Sequence, residues 1–213
     1  GGTGSGKTSL INLIPRFYDV RQGEVLVDGV DVKEYPFSQL RGMIGIVPQK
    51  AVLFKGTIRH NMQWRDKNAT DEDIWNALDI AQAKDFVEKK PDKLDEMILQ
   101  EGKNLSGGQR QRLTIARALV GDPEILILDD SASALDLATD ARLRKAIHEK
   151  TSGMTVFIVS QRISSIKSAD KIIVLDDGKI AGIGTHSELY KGCEVYKEIC
   201  LSQLSEKEAQ ANG

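Results

Sequence analysis

The first eight residues, GGTGSGKT, constrain the fold of this chain more than any other stretch. They match a pattern in which a glycine is followed by any four residues, then Gly-Lys, then Ser or Thr, here Gly1, Gly6, Lys7 and Thr8. The following segment, SLINLIPRF, has apolar side chains at helical spacing, at Leu10, Ile11, Leu13, Ile14 and Phe17. The pattern therefore predicts a glycine-rich loop that opens an amphipathic helix.

Such a loop is suited to hold the phosphates of a nucleotide. Glycines let backbone N–H groups converge on phosphate oxygens, and the helix N-terminus adds the positive end of its dipole. Lys7 would neutralise the outer phosphates, and the hydroxyl of Thr8 would reach Mg²⁺. A flexible Gly/Ser linker is the alternative, but a linker has no reason to end in Gly-Lys-Thr at the mouth of a helix. The predicted nucleotide-binding residues are Gly2, Thr3, Gly4, Ser5, Gly6, Lys7, Thr8 and Ser9.

A loop of this kind normally follows a buried strand, whereas the sequence starts at Gly1. We therefore expect the chain to be a piece of a longer polypeptide whose upstream part supplies that strand and any aromatic side chain that stacks on the base. Without the strand, we expect the piece alone to be poorly stable.

Composition excludes several classes of function. The chain has 213 residues, of which 40% are hydrophobic, and its net charge of -2 gives no electrostatic reason to expect a nucleic-acid partner. Its longest apolar run, ILIL, is far shorter than a membrane span. Cys193 and Cys200 are too few for a disulfide framework, which favours a reducing compartment. The histidines, His60, His148 and His186, are scattered and predict no metal site.

Strand and helix signals alternate, so the chain predicts an α/β fold with a mostly parallel sheet. EILILDD reads as a buried strand, MIGIVPQ as a short strand and MTVFIVS as a further strand. Asp28-Gly29 and Asp177-Gly178 read as turns of a small antiparallel portion. A helical lobe is predicted from about residue 50 to 120, with Thr70 or Asp71 as one N-cap and Ser106 as another. The polar tail, residues 202–213, is expected to fray.

Several side chains of the predicted lobe are given structural roles. Trp64 and Trp75 are expected to pack within the lobe rather than to contact a ligand. Arg110, Arg112 and Arg117 are expected to form the solvated face of an amphipathic helix that ends at Gly121 and Pro123.

The motifs then follow one another in a recognisable order: GGTGSGKT, Gln49 in VPQ, LSGGQ at 105–109, ILILDD ending in Asp129 and Asp130, SALD at 133–136, and Gln161. In this order they resemble the ATPase domain of ABC-type proteins, a P-loop fold, and the resemblance covers nearly the whole chain. Taken alone, the two aspartates would be acidic residues that open a loop, and either glutamine would be a surface amide.

The resemblance implies ATP and Mg²⁺ as cofactors. Asp129, with Thr8 and Gln49, is expected to hold the metal ion. Asp130 occupies the position of the catalytic carboxylate, Gln161 that of the later switch residue, and Gln49 that of a glutamine which contacts both the metal and the attacking water.

The resemblance also implies a head-to-tail dimer, because the signature of one domain completes the ATP site of another. The residues expected to contact the partner's ATP are Leu105, Ser106, Gly107, Gly108, Gln109 and Asp136. The interval from Lys7 to Leu105 leaves no room for the long coiled coil of chromosome-maintenance relatives. LFKGTIRHNM resembles the corresponding segment of exporters, which implies an upstream membrane domain and a place at the cytoplasmic face of a membrane.

Two positions depart from the family pattern. The family has glutamate where this chain has Asp130, and histidine where this chain has Gln161. Aspartate is one methylene shorter, and a misplacement of about 1 Å can cost roughly a hundredfold in rate. Gln161 can donate a hydrogen bond to phosphate but cannot become cationic. Together, these two departures resemble those in one subunit of a heterodimeric exporter. The ATP site of such a subunit is degenerate, which means that it holds ATP while hydrolysis takes place mainly at the partner's site. DEMILQEGKN also departs from the exporters' Gly-Glu-Arg run.

Two other functions remain open from the residues. The chain could be a homodimeric ATPase that uses Asp130 as base, because aspartate serves as a base in some settings. It could also be a regulatory or ribosome-bound ATP switch without membrane helices.

Overall fold

A computed structural model describes the backbone of residues 4–131 and 133–211, and side chains as far as residue 203. The chain divides into two compact units. The first comprises Gly1–Val32 and Ile158–Gly213, and the second comprises Lys33–Phe157. The boundary between them falls inside a strand, Thr155–Val159.

The described residues alternate helices and short strands as expected. The strands are β1 (Leu26–Val27), β2 (Val30–Asp31), β3 (Ile44–Val47), β4 (Gly56–Thr57), β5 (Met97–Ile98), β6 (Ile125–Asp129), β7 (Thr155–Val159), β8 (Ile172–Asp176) and β9 (Lys179–Gly184). The helices are α1 (Lys7–Ile11), α2 (Phe37–Gly42), α3 (Ile58–Met62), α4 (Asp71–Ile80), α5 (Lys84–Glu88), α6 (Gly107–Leu119), α7 (Leu137–Lys150), α8 (Ile163–Ile166), α9 (His186–Gly192) and α10 (Glu194–Ala211).

The second unit is built on a sheet of order β3-β6-β7. β3 and β6 run parallel, in a register that pairs Ile44 with Ile125 and Val47 with Leu128. A near-continuous apolar sequence is typical of a parallel strand covered on both faces, and β6 is buried along most of its length. Gly45 in β3 is required by close packing, since a Cβ there would overlap the carbonyl oxygen of Ala118. This sheet confirms the predicted α/β class.

Helices α3 to α6 occupy the connection between β3 and β6, together with the antiparallel pair β4–β5. This is the segment in which the sequence predicts a helical lobe. Thr70 caps α4, and its side chain and that of Asp73 form a reciprocal capping box. Of the two predicted N-caps, Thr70 is therefore the correct one.

The helix that carries most of the signature, α6, is buried on most of its sides, against β3 and against α3 and α4. Leu113, Ile115 and Ala116 are fully buried on it. The helix ends at Leu119, before Gly121, which has a left-handed backbone with φ of 77°, and Pro123. The predicted end is therefore confirmed, because glycine and proline stop helices at these positions.

The prediction that the arginines of α6 form a solvated face is wrong. All three are partly buried, because the helix is surrounded by loops of the lobe. Their guanidinium groups donate to backbone carbonyl oxygens: Arg110 to Leu105 at 2.7 Å, Arg112 to Gln82 at 2.7 Å, and Arg117 to Val52 at 2.8 Å.

The packing role predicted for Trp64 is also wrong in part. Its side chain is 60% exposed, although its ring lies 4.4 Å from that of Phe54, centroid to centroid. The guanidinium group of Arg117 lies over the ring of Phe54, with 5.4 Å between the guanidinium carbon and the ring centroid. Trp75 is half-buried on α4. Trp64 therefore contributes to an exposed aromatic surface rather than to a core.

In the first unit, α1 is shorter than the predicted helix. It ends at Ile11, residues 12–16 form turns, and Phe17, beyond the helix, is exposed. Pro15 explains the difference, because its nitrogen cannot donate to the carbonyl of Ile11 and its ring disfavours a helical Ile14.

The two antiparallel pairs of the first unit confirm the predicted turns. Asp28 and Gly29 have φ of 50° and 77° between β1 and β2, and Asp177 and Gly178 have 44° and 72° between β8 and β9. Two successive left-handed residues are the geometry that tightly connects twisted strands.

The fraying of the C-terminal tail stays a prediction, and the structure describes most of its backbone as part of the last helix. α10 continues as helix to Ala211, and residues 212–213 lie outside the described part of the chain. The sequence between Glu206 and Ala211 consists of good helix formers, which extends the helix past its buried part. Within the described residues, every helix is too short or too polar to cross a bilayer.

Candidate functional site

The glycine-rich loop has the backbone expected of a phosphate cradle. Gly4 and Gly6 have left-handed backbones, with φ of 82° and 91°, and a Cβ on either would meet no atom within 4 Å. The space beside these glycines is therefore open. Ser5 between them is buried, and its Oγ accepts a hydrogen bond of 3.2 Å from Nζ of Lys7.

Helix α1 begins directly after this loop, at Lys7. Thr8 and Ser9 lie in its first turn and are exposed. Gly2 and Thr3, which the sequence also predicts to bind nucleotide, lie outside the described residues.

The second unit carries the acidic pair at the carboxyl end of β6. Asp129 is the last residue of the strand and is 7% exposed. Asp130 follows with a φ of 46°, in the left-handed region, and its carbonyl accepts from the backbone N–H of Ser133 at 3.2 Å. The two carboxylates therefore differ in setting, one at the buried strand end and one on a turn.

Gln49 and Asp130, both predicted to be catalytic, are brought together. Gln49 follows β3, and parallel neighbours place their carboxyl ends at the same edge of a sheet. Nε2 of Gln49 lies 3.5 Å from Oδ2 of Asp130, at the outer limit of a hydrogen bond. Gln161 belongs to the first unit, where it is exposed between β7 and α8.

The signature LSGGQ sits at the start of α6. Ser106 is the N-cap: its Oγ accepts from the backbone N–H of Gln109 at 3.2 Å, and Oε1 of Gln109 accepts from the N–H of Ser106 at 3.0 Å. This capping box fixes the first turn. Leu105 is buried and anchors the motif, whereas Ser106 and Gly107 are exposed.

The segment with SALD packs beside the signature. A Cβ on Gly108 would meet the carbonyl oxygen of Ala134 at 3.5 Å, so a small residue suits this contact. Asp136 caps α7, accepting from the backbone N–H and the hydroxyl of Thr139 at 2.9 and 2.7 Å. These bonds hold the pKa of Asp136 below its usual range, with the Thr139 N–H as the main cause. The structure thus gathers four of the residues predicted to contact the partner's ATP: Ser106, Gly107, Gly108 and Asp136.

The loop before the signature is held by side chains that the sequence reading did not single out. Oδ1 of Asn104 accepts from the N–H of Leu99 at 3.0 Å, and Nδ2 of Asn104 donates to the carbonyl of Met97 at 2.8 Å. Glu101 and Gly102 form a left-handed pair with φ of 59° and 69°. An asparagine three residues before a glycine pair was the available signal, since asparagine often closes turns by bonding to nearby backbone.

These residues fit Mg²⁺ and a nucleotide, judged by donor chemistry. The open space at Gly4 and Gly6 suits a close approach by phosphate. The carboxylate of Asp129 and the hydroxyl of Thr8 are hard oxygen donors of the type that Mg²⁺ prefers.

Known proteins resemble the chain over most of its length. A family model described as ABC transporter matches residues 1–133. An uncharacterised ABC transporter ATP-binding protein of Mycobacterium tuberculosis is 46% identical over 206 residues, which is 95% of this chain and 35% of the relative. The ATP-dependent lipid A-core flippase of Hahella chejuensis is 42% identical over 210 residues, 98% of this chain and 36% of the relative.

Among solved structures, a bacterial Atm1-family ABC exporter with ATP bound superposes with a TM-score of 0.91 at 36% identity. The match covers 95% of this chain and 36% of the exporter chain. The chain therefore spans about a third of the length of the proteins it matches.

Proposed function

Because the chain belongs to the ABC transporter family as an ATP-binding domain, we propose that it powers export across a membrane by ATP-driven dimerisation with a second domain of its kind. Both the similarity to a lipid flippase and the likeness to an ATP-bound exporter support this role. The remaining two thirds of those proteins leave room for a membrane domain on the same polypeptide. The cytoplasmic face of a membrane is the matching location, and no nucleic-acid partner is required.

The domain's own ATP is held by the glycine-rich loop, from Gly2 to Ser9. Lys7 neutralises the outer phosphates, and Thr8, Gln49 and Asp129 hold Mg²⁺. The metal ion, when bound, neutralises charge on the β- and γ-phosphate oxygens. The position of Asp129 at the carboxyl end of a parallel strand supports its assignment as the metal carboxylate, because carboxylate oxygens are ligands that Mg²⁺ prefers.

That site is degenerate: it holds ATP and hydrolyses it slowly. The observation that carries this proposal is Asp130, a carboxylate one methylene shorter than the family's glutamate, set on a left-handed turn. A base that reaches less far loses its position against the attacking water. Gln161 adds to the defect because its amide cannot carry a positive charge as negative charge develops on phosphate.

The signature of this chain completes the active site of a different partner subunit. The capping box leaves the N-terminal amides of α6 at an exposed surface, where they can meet the γ-phosphate of ATP held by the partner. The exposed Asp136 and the half-buried Gly108 lie beside it, since Gly108 packs against the segment that leads to Asp136.

A homodimer with two active sites is the second candidate, and the contact between Gln49 and Asp130 favours it. A glutamine amide close to a carboxylate can orient that carboxylate toward a water molecule. A regulatory ATP switch without membrane helices receives no comparable support, since the relatives named above are transporter proteins.

The signature's role is tested in the full-length protein, assembled with its partner in lipid vesicles. Ser106→Arg places a bulky cation at the surface that must meet the partner's phosphate, so we expect ATP turnover to fall at least about a hundredfold, the effect of losing a major electrostatic group. Ser106→Thr is the matched control, because threonine keeps the N-cap, and its turnover should remain near wild type. Turnover that survives Ser106→Arg would contradict the proposal.

A further inference from the structure

The side chain of Gln203, on α10, bonds with both ends of its amide to the segment that carries Gln161. Its Nε2 donates to the carbonyl oxygen of Gln161 at 2.5 Å, and its Oε1 accepts from the backbone N–H of Ile163 at 2.9 Å. One side chain thus spans two backbone groups that lie two residues apart. We call this pair of bonds the Gln203 clamp.

The clamp supplies a hydrogen bond to the backbone N–H at the start of α8. Ile163 is the first residue of α8, and its N-cap, Arg162, offers no side-chain bond to the start of the helix. The first N–H groups of a helix have no partner within it, so Gln203 supplies from another helix what a cap residue would supply locally. Oγ of Ser160 accepts from the N–H of Arg162 at 3.0 Å. The backbone from Ser160 to Ile163 is therefore fixed at three polar groups.

The helix that carries the clamp is itself firmly seated. Tyr196 on α10 is 1% exposed, and Cys193 and Cys200 are buried beside it in a cluster with residues of β8 and α9. The hydroxyl of Tyr196 lies 2.9 Å from Nδ1 of His186. Burial raises the pKa of Tyr196 to about 12, so this group stays a neutral phenol at physiological pH. Cys200 and Gln203 are three residues apart on α10, so the buried thiol and the clamp lie on the same face of the helix.

We propose that Gln203 is a positioning residue: the C-terminal helix holds the backbone of Gln161 and so sets where the Gln161 side chain points. This rests on the proposed function, in which Gln161 bonds to a phosphate oxygen. A neutral amide binds phosphate only when its N–H group is aimed at the oxygen, since it lacks the long reach of a charge. A glutamine at this position therefore depends on a rigid backbone more than a cationic side chain would.

The proposal is tested with Gln203→Met and Gln203→Glu in the full-length assembly, with Ser202→Ala as the control. Methionine keeps the length and apolar stem but makes neither bond. Glutamate keeps the acceptor for Ile163 and loses the donor to Gln161. Ser202 is the neighbouring residue on α10, and its hydroxyl donates to the carbonyl of Ile199 within that helix.

The first readout is amide hydrogen exchange at Ile163. We expect Gln203→Met to speed exchange roughly tenfold, the effect of losing a hydrogen bond of ordinary strength. Gln203→Glu should keep most of the protection, and Ser202→Ala all of it. Unchanged exchange in Gln203→Met would overturn the proposal, because the clamp would then not exist in solution.

The second readout is the rate at which ATP leaves this chain's own site. We expect Gln203→Met and Gln161→Ala each to speed release several-fold, and the double variant to release no faster than Gln161→Ala, because two residues that act through one bond are not additive. Additive effects would overturn the positioning role. If Gln161→Ala has no effect while exchange at Ile163 still depends on Gln203, then both the function proposed for Gln161 and the positioning role fail, and the clamp is a cap of α8 alone.

Discussion

At the carboxyl end of β6, Asp130 combines a short side chain with a left-handed backbone. Aspartate and asparagine adopt that backbone more readily than longer side chains, because their polar groups bond locally. Restoring the family's glutamate would therefore change the backbone preference as well as the reach of the carboxylate. Asparagine is the cleaner replacement, since it keeps the shape and the turn and removes only the charge.

The backbone conformation at Gly102 disfavours any residue with a side chain. Its φ is 69°, and a Cβ would lie 2.7 Å from Cδ of Arg110. We predict that Gly102→Ala lowers the free energy of unfolding by about 1–3 kcal/mol, from left-handed strain and displacement of Arg110. Urea unfolding measures the change.

The matched control for that substitution is Gly192→Ala. Gly192 is the last residue of α9, has an ordinary backbone, and has no atom within 4 Å of a Cβ. Its substitution should leave stability unchanged or slightly raised. Equal effects of the two substitutions would show that the loop before the signature is not constrained as described.

Asp136 gives a pH-dependent prediction at the same scale. Hydrogen bonds from Thr139 hold the pKa of Asp136 below its unfolded value, so the charged form stabilises the fold. That contribution is present above the unfolded pKa of roughly 4 and is lost as the pH falls through the folded pKa.

We therefore expect Asp136→Asn to be less stable than wild type at pH 7, and the gap to close as the pH falls below about 4. Asparagine keeps the N-cap, so only the charge is removed. Thermal unfolding midpoints of both proteins over this pH range measure the gap. A gap that stays constant with pH would contradict the account.

At the scale of elements, the lobe is held together by arginines that bind backbone carbonyls. Arg65 is the clearest case: it donates from Nε to Val120 at 2.6 Å, from Nη1 to Ile44 at 2.8 Å, and from Nη2 to Gly42 at 2.9 Å. One guanidinium thus joins the end of α6 to the end of α2 and the start of β3. Burial lowers the pKa of Arg65, and the negative charge of Asp66 offsets part of that effect. The three carbonyl oxygens add hydrogen bonds to the half-buried guanidinium.

We predict that Arg65→Lys lowers the free energy of unfolding by about 2–3 kcal/mol, because an ammonium group cannot reach three carbonyls in a planar fork. Arg21→Lys is the control, since Arg21 is exposed in a loop. Urea denaturation of both variants tests this. A loss no larger than in the control would mean that the three carbonyls do not depend on Arg65.

Elements governed by local rules could be predicted from the sequence. Ser106 was identified as an N-cap, and Thr70 as one of two alternatives, because capping depends on residues within one helical turn. The turns at Asp28-Gly29 and Asp177-Gly178 followed from the dipeptides themselves. The end of β6 and the positions of Asp129 and Asp130 followed from an apolar run closed by two charges.

Features that depend on tertiary surroundings could not be predicted in this way. An amphipathic pattern treats arginine as solvated, so it missed three arginines that bond to backbone carbonyls, two of which, Arg112 and Arg117, reach distant loops. The prediction of α1 relied on the spacing of apolar residues after Thr8 and gave too little weight to Pro15, which disfavours a helix at that point. No local sequence pattern indicates the two hydrogen bonds of Gln203, because their partners, Gln161 and Ile163, lie some forty residues earlier in the chain.

For the whole molecule, the family and the fold are secured by similarity across nearly the entire chain, whereas the division of labour between two ATP sites is a proposal. The residues that this proposal requires are divided between the two compact units. The phosphate loop and Gln161 belong to the first unit, and the acidic pair, Gln49 and the signature belong to the second. The central claim is that this chain retains ATP while its signature serves a different partner.

The most direct test is ATP turnover by the full-length protein assembled with its partner in lipid vesicles, compared between wild type and Asp130→Asn. We predict that turnover changes by less than about twofold, because the partner's site carries out hydrolysis and asparagine keeps the turn at this position. A loss of roughly a hundredfold or more, the usual effect of removing a general base, would contradict the account and identify the chain as a working ATPase in its own right.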